Sequence, residues 1–574
     1  MEEVLEQSSH HTTAPEDRIP VFQKTVYSIG ALVNQTQAAA IGAMVLVLNL
    51  GLGMNPALVG LVGTIPRLLD AFTDPLIGYT SDNTRSKYGR RRPYIFFGAL
   101  ISGIFFALMF QLYKGHTEMY YFWYFLIIQC LFILAFAFYS IPWIALGFEM
   151  SPDYHERTRL QGMGNSIAQL AWFLAPWLFT FMYTNKDLVH GVRFIAVIIG
   201  VFIAAGGILP AIFNKEHFVN LPQPQKKHVL KDFFSGFSIA LKNRPFIKLC
   251  TVTFLVFNGF MLASAFITYV IFFYDFGGDY GKGGILLGVY GMFSAACMSW
   301  AIAVITAVSA GFLIPDPAKI ISWFKGINKQ IILLIVVFCF LMSYILKMAG
   351  INYHLSYLGV GSVIFIGLSL IVFFVLMIST CVSTLNGERI ISSILNWKYK
   401  IIMRLTPSWL RTGIGKRNTL LIAIPISIVG YALKWVGYNP QHPYLLLIAA
   451  PFIAFGLGSV FTIISSMLAD VCDLDELDNG TRREGTFGAI YWWMIKLGQA
   501  AASLISGVLL NLTGFNVALG GHQTAHTLLY MRLCDIGIPI VTSVIAIFII
   551  STFDITEDKA YAIRKQLEDR RGKA

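Results

Sequence analysis

The sequence is poor in charged residues. Only 13% of its 574 residues are Asp, Glu, Lys or Arg, whereas 56% are hydrophobic. Soluble domains carry about 25% charged residues, so this composition excludes an ordinary soluble protein. Apolar runs of about 18 residues or more recur along the chain, and each is long enough to cross a bilayer as a helix. The composition therefore predicts an all-α polytopic membrane protein.

Cysteine is also scarce, and its spacing has no pattern. The seven cysteines are scattered through apolar runs, without a Cys-x-x-Cys pair or a Cys/His cluster. This spacing supports neither a disulfide framework nor a zinc site, and packed thiols are the interpretation that remains. Residues 1–25 lack the apolar core of a signal peptide, so we interpret them as a cytosolic tail.

The apolar runs predict fourteen spans. They lie at about 26–49, 57–80, 93–113, 119–148, 160–184, 191–213, 246–274, 283–312, 331–348, 357–382, 418–437, 445–470, 485–511 and 528–552. A basic segment at 214–245 predicts a cytosolic linker between an N-terminal six-helix bundle, 26–213, and a C-terminal bundle, 246–552. Residues 553–574 are polar and predict a second cytosolic tail.

Lysine and arginine are unevenly divided between the two sides of these spans. The loops on one side hold most of them, whereas the other side holds only Lys114, Lys186 and Lys282. Because basic loops stay in the cytoplasm, both termini are expected on the cytoplasmic side. The membrane is expected to be a plasma membrane or a bacterial inner membrane. The net charge of +12 then faces anionic lipid and not nucleic acid.

Two features recur in the same order in both halves. A glycine-basic turn at 86–93 has a counterpart at 411–418, and an acidic and basic segment at 156–159 has one at 481–484. Paired six-helix bundles are typical of transporters.

Two six-helix bundles account for twelve of the fourteen predicted spans. We assign the remaining two, 331–348 and 357–382, to an inserted hairpin within 313–410. The hairpin is followed by either an amphipathic surface helix or a basic loop packed on the bundle.

Three charged residues share one face of the second predicted span. Arg67, Asp70 and Asp74 are three and four residues apart, which places them on one helical stripe. Each charge inside a bilayer costs about 2.5 to 3.5 kcal/mol, so the stripe must face a wet interior. One arginine cannot neutralise two acids, which favours binding of a cation or a proton over a purely structural ion pair.

Lys496 lies in the middle of the predicted span at 485–511. A mid-membrane ammonium needs an acidic partner, and Asp70 and Asp74 are the only obvious intramembrane acids. We therefore expect Lys496 to face this pair, and snorkelling to a surface is the alternative. A cation or proton arriving at the pair would weaken the contact, which would couple ion binding to movement of the halves.

Polar and aromatic side chains within spans are candidate pocket groups. Amides, hydroxyls and tryptophans suit a polyhydroxylated ligand, although each also suits an interhelical hydrogen bond or packing. The candidates are Asn34, Gln35, Gln37, Tyr139, Ser140, Trp143, Asn165, Gln169, Asn258, Trp492, Trp493 and Gln499.

A charged inner segment is a candidate gate. Its acidic residues are followed by two arginines, and the set is Asp470, Asp473, Asp475, Glu476, Asp478, Arg482 and Arg483. This pattern predicts either a solvated turn or a cytosolic gate, in which the acids pair with Arg157 or Arg159 of the other half when the cytosolic side is closed.

Three stretches carry a resemblance to a known family. They are RLLDAFTDPLIGYTSDNTRSKYGRRRP at 67–93, SIPWIALGFEM with ERTRL at 140–160, and MLADVCDLDE with RREG and MIKLGQ at 467–499. The chain resembles the glycoside-pentoside-hexuronide:cation symporters of the major facilitator superfamily. The resemblance implies a major facilitator fold, no enzymatic activity and no cofactor, with sodium or proton coupling at Asp70 and Asp74 and Lys496 beside them. It also implies gating charges at Glu156, Arg157, Asp470, Asp473, Glu476 and Arg482.

The sequence departs from this family at the sugar site. The positions of its two sugar-binding aspartates fall at Gln35 and Ser140, that of its sugar-binding arginine near Asn165, and that of its ion-site threonine near Ala137. We therefore expect a cation-coupled symporter for a glycoside or another small organic solute. A lysolipid-type amphiphile symporter is the alternative, and an intramembrane prenyltransferase that uses Mg²⁺ is a more remote one.

Overall fold

We describe the protein from a computed structural model. It describes residues 18–84, 86–151, 154–183, 187–214, 242–309, 415–480 and 484–571. The predicted hairpin at 331–348 and 357–382, and the amphipathic segment after it, lie outside the described residues. The predicted linker is described only at its two ends. Within the described ranges the regular secondary structure is helical.

The first helix group precedes the linker. Short breaks interrupt two of its long helices, after Met44 and at Pro176 within the 3₁₀ turn Ala175–Trp177. The group comprises α1 Val21–Met44, α2 Leu46–Leu50, α3 Pro56–Asn83, α4 Arg92–Met109, α5 Glu118–Glu149, α6 Tyr154–Leu174, α7 Leu178–Met182 and α8 Leu188–Phe213.

The second helix group follows the linker. It comprises α9 Arg244–Tyr269, which continues as the π-helical segment Val270–Asp275, and then α10 Tyr280–Ser309, α11 Lys416–Gly437, α12 Ala450–Asn479, α13 Glu484–Leu512, α14 Ala525–Ser551 and α15 Glu557–Arg571. A 3₁₀ segment, Pro443–Ala449, leads into α12. Among the described residues, nine helices are long and apolar enough to cross a membrane.

Polar caps and prolines mark where the helices begin. The Asn55 side chain accepts the Ala57 amide ahead of α3, and the Asn243 side chain accepts the Phe246 amide ahead of α9. Each of these caps precedes a proline in the first turn, where the missing amide proton costs no hydrogen bond. Thr524 caps α14 in a similar way.

The long helices alternate in direction, so the molecule has two ends. The proximal end holds the start of α1 and the end of α14, and the distal end holds the turns after α2 and before α10. Within the first group, α1 packs on α6 and α8, and α4 packs on α5 and α8. Within the second, α9 packs on α13 and α14, and α11 packs on α12. The most extensive contact between the groups joins α3 and α13.

Aromatic side chains close the distal end between the two groups. Phe179 of α7 packs on Phe272 of the π-helical segment, with ring centroids 4.5 Å apart. Tyr183 meets Tyr280 edge to face at 5.7 Å. The Tyr269 hydroxyl donates to the Asn49 side chain at 3.0 Å. The distal ends of the groups are therefore in direct contact.

Both predicted tails are more structured at their inner edges than the sequence indicated. The first helix begins at Val21 and not near residue 26, because Lys24 is buried in an ion pair with Glu156 and extends the helix towards the N-terminus. Residues 557–571 form α15, which buries Ile563 and Leu567 against α12. In both segments the apolar stretch is too short to stand out as a span.

Candidate functional site

The site is built on the contact between α3 and α13. Lys496 of α13 donates to the Asp70 carboxylate at 2.9 Å and also contacts the Asp74 carboxylate. These three side chains are between 22% and 30% exposed, so they are partly buried yet open to the space between the groups. One ammonium contacts both carboxylates, so a cation or a proton that reaches the pair competes with Lys496 for the same oxygens.

Arg67 also joins α3 to α13. Its guanidinium donates to the Gln499 side-chain oxygen on α13. Gln499 lies three residues after Lys496 on the same face of α13. This one face therefore contacts both the arginine and the two acids of α3. The structure thus brings together all four residues that the sequence predicted for cation binding or coupling, Arg67 among them, with Gln499 added to the set.

Small residues allow the two helices to approach. A Cβ atom on Gly60 would lie 2.6 Å from the Ser503 carbonyl, and one on Gly507 would lie 2.2 Å from the Pro56 carbonyl. The Thr64 hydroxyl contacts the Ala500 carbonyl at 2.9 Å across the same seam. Such close backbone packing is typical of membrane helices with small residues at the interface. It sets the distance at which Lys496 meets the acids.

Two of the charges predicted for the gate have described partners within their own groups. Glu156 pairs with Lys24 of α1 at 2.6 Å, and Asp470 pairs with Lys416 of α11 at 2.7 Å. Asp473 and Glu476 lie on α12 near the proximal end. The side chain of Arg157, and residue Arg482, fall outside the described part of the structure. The gate between the halves stays a prediction.

Two of the predicted pocket residues lie in the packed core of the first group. Tyr139 is fully buried and donates to the Gly30 carbonyl at 2.9 Å. Trp143 is buried and stacks on Tyr27 with ring centroids 4.8 Å apart. The structure places both between helices, where they join α5 to α1. Asn34 and Ser140 remain partly exposed.

A polar face of α6, which lies mostly within the predicted span at 160–184, is exposed. Asn165, Gln169 and Trp172 follow one another at helical spacing and are all exposed, Trp172 by 45%. The Trp172 indole donates to the Gln35 side chain on α1 at 3.0 Å. Amides facing lipid would be costly, so this face borders the space between the groups. Trp172 was missed by the sequence prediction, although its spacing from Asn165 and Gln169 was a usable signal.

Trp492 of α13 lies one helical turn before Lys496 on the same face. It is 61% exposed, and it therefore extends the exposed surface beyond the charged residues. An indole next to a cation site offers a flat apolar surface to a bound solute.

The sequence prediction of only two intramembrane acids was wrong. Asp535 of α14 is completely buried, and its carboxylate accepts from Lys434 of α11 at 2.6 Å and from the Tyr438 hydroxyl at 2.5 Å. Asp535 lies close to the start of its apolar run, so the hydropathy pattern alone did not distinguish it from a loop residue. Lys434 is a charged residue within the predicted span at 418–437, and its presence there was the available signal for an acidic partner.

A divalent metal site has no support in the described part of the chain. No group of three or more His, Cys, Asp or Glu side chains that could hold a metal ion occurs there. The two carboxylates of Asp70 and Asp74 supply oxygen ligands suited to a small hard cation, with Lys496 as the competing positive charge. This arrangement therefore gives no support to the alternative of a prenyltransferase that binds a diphosphate through Mg²⁺ at an Asp-rich motif.

Known transporters resemble this chain, one of them over most of its length and another over about a quarter of it. An uncharacterized symporter of Synechocystis sp. is 24% identical over 540 residues, covering 90% of this chain and 91% of that protein. The isoprimeverose transporter of Lactiplantibacillus pentosus is 30% identical over 138 residues, which is 24% of this chain and 28% of that one.

Solved structures share the fold. A bacterial homologue of the human lysosomal transporter Spinster, in an inward-facing and unoccupied conformation, matches with a TM-score of 0.56 and 14% identity, covering 98% of this chain and 100% of that one. A D-xylose–proton symporter matches with a TM-score of 0.53 and 13% identity, covering 94% and 99%. These likenesses show the major facilitator fold.

A family model also matches almost the whole chain. The model described as MFS/sugar transport protein matches residues 27–385 and 332–557. The fold, the multi-pass character and the family agree in making the protein a membrane transporter and not an enzyme. The chain belongs to the MFS/sugar transport protein family.

Proposed function

We propose that this protein is a cation-coupled symporter that carries a sugar or glycoside across a membrane by alternating access, with Na⁺ or H⁺ as the coupling ion. The observation that carries the proposal is the contact of Lys496 with both Asp70 and Asp74. This contact joins the two helix groups through charge, and it is the contact that an arriving cation competes with.

Coupling follows from that competition. A cation or proton bound between Asp70 and Asp74 offsets their charge and weakens the attraction of Lys496. Since Lys496 belongs to the second group and the acids to the first, loss of this attraction lowers the barrier to moving one group against the other. An ion can shift the populations of two arrangements of the helix groups only if it binds them with different affinities. Competition between the ion and Lys496 supplies this difference in affinity.

The solute is expected beside the coupling site. Gln35, Asn165 and Gln169 offer amide donors and acceptors to hydroxyl groups, and Trp172 offers an exposed ring on which an apolar sugar face can stack. The side chains of this surface are uncharged, which favours a neutral glycoside over an acidic one. The sugar transporters among the relatives support the same substrate class.

Orientation in the membrane follows from the basic residues. Arg90, Arg91, Lys248 and Lys416 lie at the proximal end, which also holds α15. Because basic residues stay on the cytoplasmic side, we place both termini in the cytoplasm and the protein in a plasma membrane or bacterial inner membrane.

Uptake into proteoliposomes tests the proposal. The purified protein is reconstituted and a panel of radiolabelled glycosides is offered under an inward Na⁺ gradient, an inward H⁺ gradient or neither, with a lysolipid as an additional substrate. We expect saturable accumulation of a glycoside under one gradient and its loss in Asp74→Ala, while Asp187→Ala, which changes an exposed acid, keeps it.

Two outcomes contradict the proposal. Accumulation that ignores both gradients and survives Asp74→Ala would show that the acids do not couple an ion. Transport of the lysolipid alone would assign the site to an amphiphile.

A further inference from the structure

Asp275 is a buried carboxyl group without a hydrogen-bond partner. It is the last residue of the π-helical segment Val270–Asp275 at the distal end of α9. It is 4% exposed, and neither carboxylate oxygen has a partner among the described residues. An isolated ionised carboxylate is costly to bury, so this environment favours the neutral acid.

A cation lies near Asp275 but is held by other groups. The Arg532 guanidinium carbon lies 4.3 Å from the ring centroids of both Tyr274 and Trp435, between the two rings. Its Nη2 donates to the Trp435 carbonyl at 3.0 Å, while its Nε has no partner among the described residues. Arg532 packs on the ring of Tyr274, the residue before Asp275, yet no described ion pair within 4 Å joins Arg532 to Asp275. Asp275 and Arg532 therefore lie near each other without forming an ion pair in this arrangement.

The other charged groups nearby already satisfy one another. Asp535 is paired with Lys434 and accepts from Tyr438, so this set already holds its own counter-ion. From α10, Tyr280 packs on the rings of the π-helical segment. Arg532 is thus the cation available to Asp275, and an ionised Asp275 would make the set of two acids and two bases neutral.

We propose that Asp275 is a second proton-binding site, separate from Asp70 and Asp74, that controls the closed distal end. In the arrangement seen here, where both oxygens are buried and have no described partner, we assign the proton to Asp275. When it releases its proton to the distal aqueous side, the carboxylate pairs with Arg532, which leaves its place between the two rings. The step moves one proton and needs no other reactant.

The geometry connects this step to the contact between the groups. Phe272 is three residues before Asp275 in the same π-helical segment and packs on Phe179 of the first group. Movement of Asp275 towards Arg532 shifts the short segment as a unit and loosens the contact between Phe272 and Phe179. Segments of π-helix are commonly found at such functional positions.

Infrared difference spectroscopy tests the protonation directly. Spectra of the reconstituted full-length protein are recorded in acidic and in alkaline buffer, and the carboxylic acid C=O band is followed. We expect a band that Asp275→Asn abolishes. The matched control is Asp279→Asn, which changes an exposed acid in the same turn that pairs with Lys282, and this variant should keep the band. A band unchanged in Asp275→Asn overturns the proposal.

A distance measurement tests the consequence. Spin labels on Met119→Cys and Leu519→Cys, which are exposed distal positions in different groups, report the separation of the groups in a cysteine-free background. The wild type should lengthen this distance as the pH rises, while Asp275→Asn should stay short at every pH. Asp74→Asn should keep the pH response, so a failure of ion coupling is distinguishable. A pH response retained in Asp275→Asn, or one absent from the wild type, contradicts the proposal.

Discussion

The Lys496 ammonium of α13 lies 2.9 Å from the Asp70 carboxylate of α3, although 426 residues separate them in sequence. The contact spans the two helix groups at the seam where glycines bring their backbones together. One cation therefore serves two acids, and replacing it changes both the charge of the site and the attachment of the groups.

Lys496→Ala leaves both carboxylates without their cation. We expect the loss of stability to be smaller than the about 3 to 5 kcal/mol of a fully buried pair, because the side chains are partly exposed. Added Na⁺, or acid, should restore stability more strongly in Lys496→Ala than in the wild type, since ligand binding to the folded state stabilises it by mass action. Thermal unfolding in detergent across a Na⁺ series and a pH series measures this.

The control for that prediction is Lys496→Arg, which keeps the positive charge. It should respond to Na⁺ as the wild type does. Equal responses of the wild type and Lys496→Ala would show that the ammonium and the ion do not compete for the acids.

Gly507→Val should separate α3 from α13. A side chain at Gly507 meets the Pro56 carbonyl, so we expect an overpacking cost of about 1 to 3 kcal/mol and loss of gradient-driven uptake. Gly488→Val on the same helix is the matched control, because no described atom lies within 4 Å of its Cβ position. Uptake in proteoliposomes and the thermal midpoint are both measured. Normal uptake in Gly507→Val would mean that the seam does not set the site.

Trp172→Ala should weaken solute binding without changing the ion requirement. Loss of one stacking interaction that contributes about 1 kcal/mol to solute binding raises the KM for the solute about fivefold. Trp172→Phe retains a ring and should retain most of the affinity. The initial rate of uptake as a function of solute concentration, at fixed ion gradient, gives KM and the maximal rate separately. A change in ion dependence, with KM unaltered, would place Trp172 outside the solute surface.

Asp187 makes the distal start of α8 sensitive to acid. A hydrogen bond from Lys114, together with the amides of Val189 and His190, holds the pKa of Asp187 below its ordinary value. A lowered pKa in the folded state means that the stabilisation is present above the unfolded pKa and is lost as the pH falls through the folded one. Because the pair is exposed, the effect should be about 0.2 to 1 kcal/mol.

Asp187→Asn keeps a side-chain oxygen for the helix cap but removes the charge. The variant should therefore lose less stability than the wild type between neutral and acidic pH. Thermal midpoints across that range give the comparison, and parallel curves for the two proteins would contradict the assignment.

Much of the fold could be predicted from the sequence. The bilayer requires long apolar helices, and their run lengths placed twelve of the predicted spans on helices that the structure describes. Arg67, Asp70 and Asp74 were identifiable as one site because charge within such a run is costly wherever the chain folds. Lys496 was matched to them by the same reasoning, since a buried ammonium needs an acid.

The tertiary structure decided the rest. Tyr139 and Trp143 look like pocket residues in sequence, and packing between α1 and α5 removed them from the open surface. Asp535 and Asp275 lie near the ends of apolar runs, where sequence cannot distinguish a solvated acid from a buried one. Burial depends on which helices meet, and that is set by contacts among residues far apart in the chain.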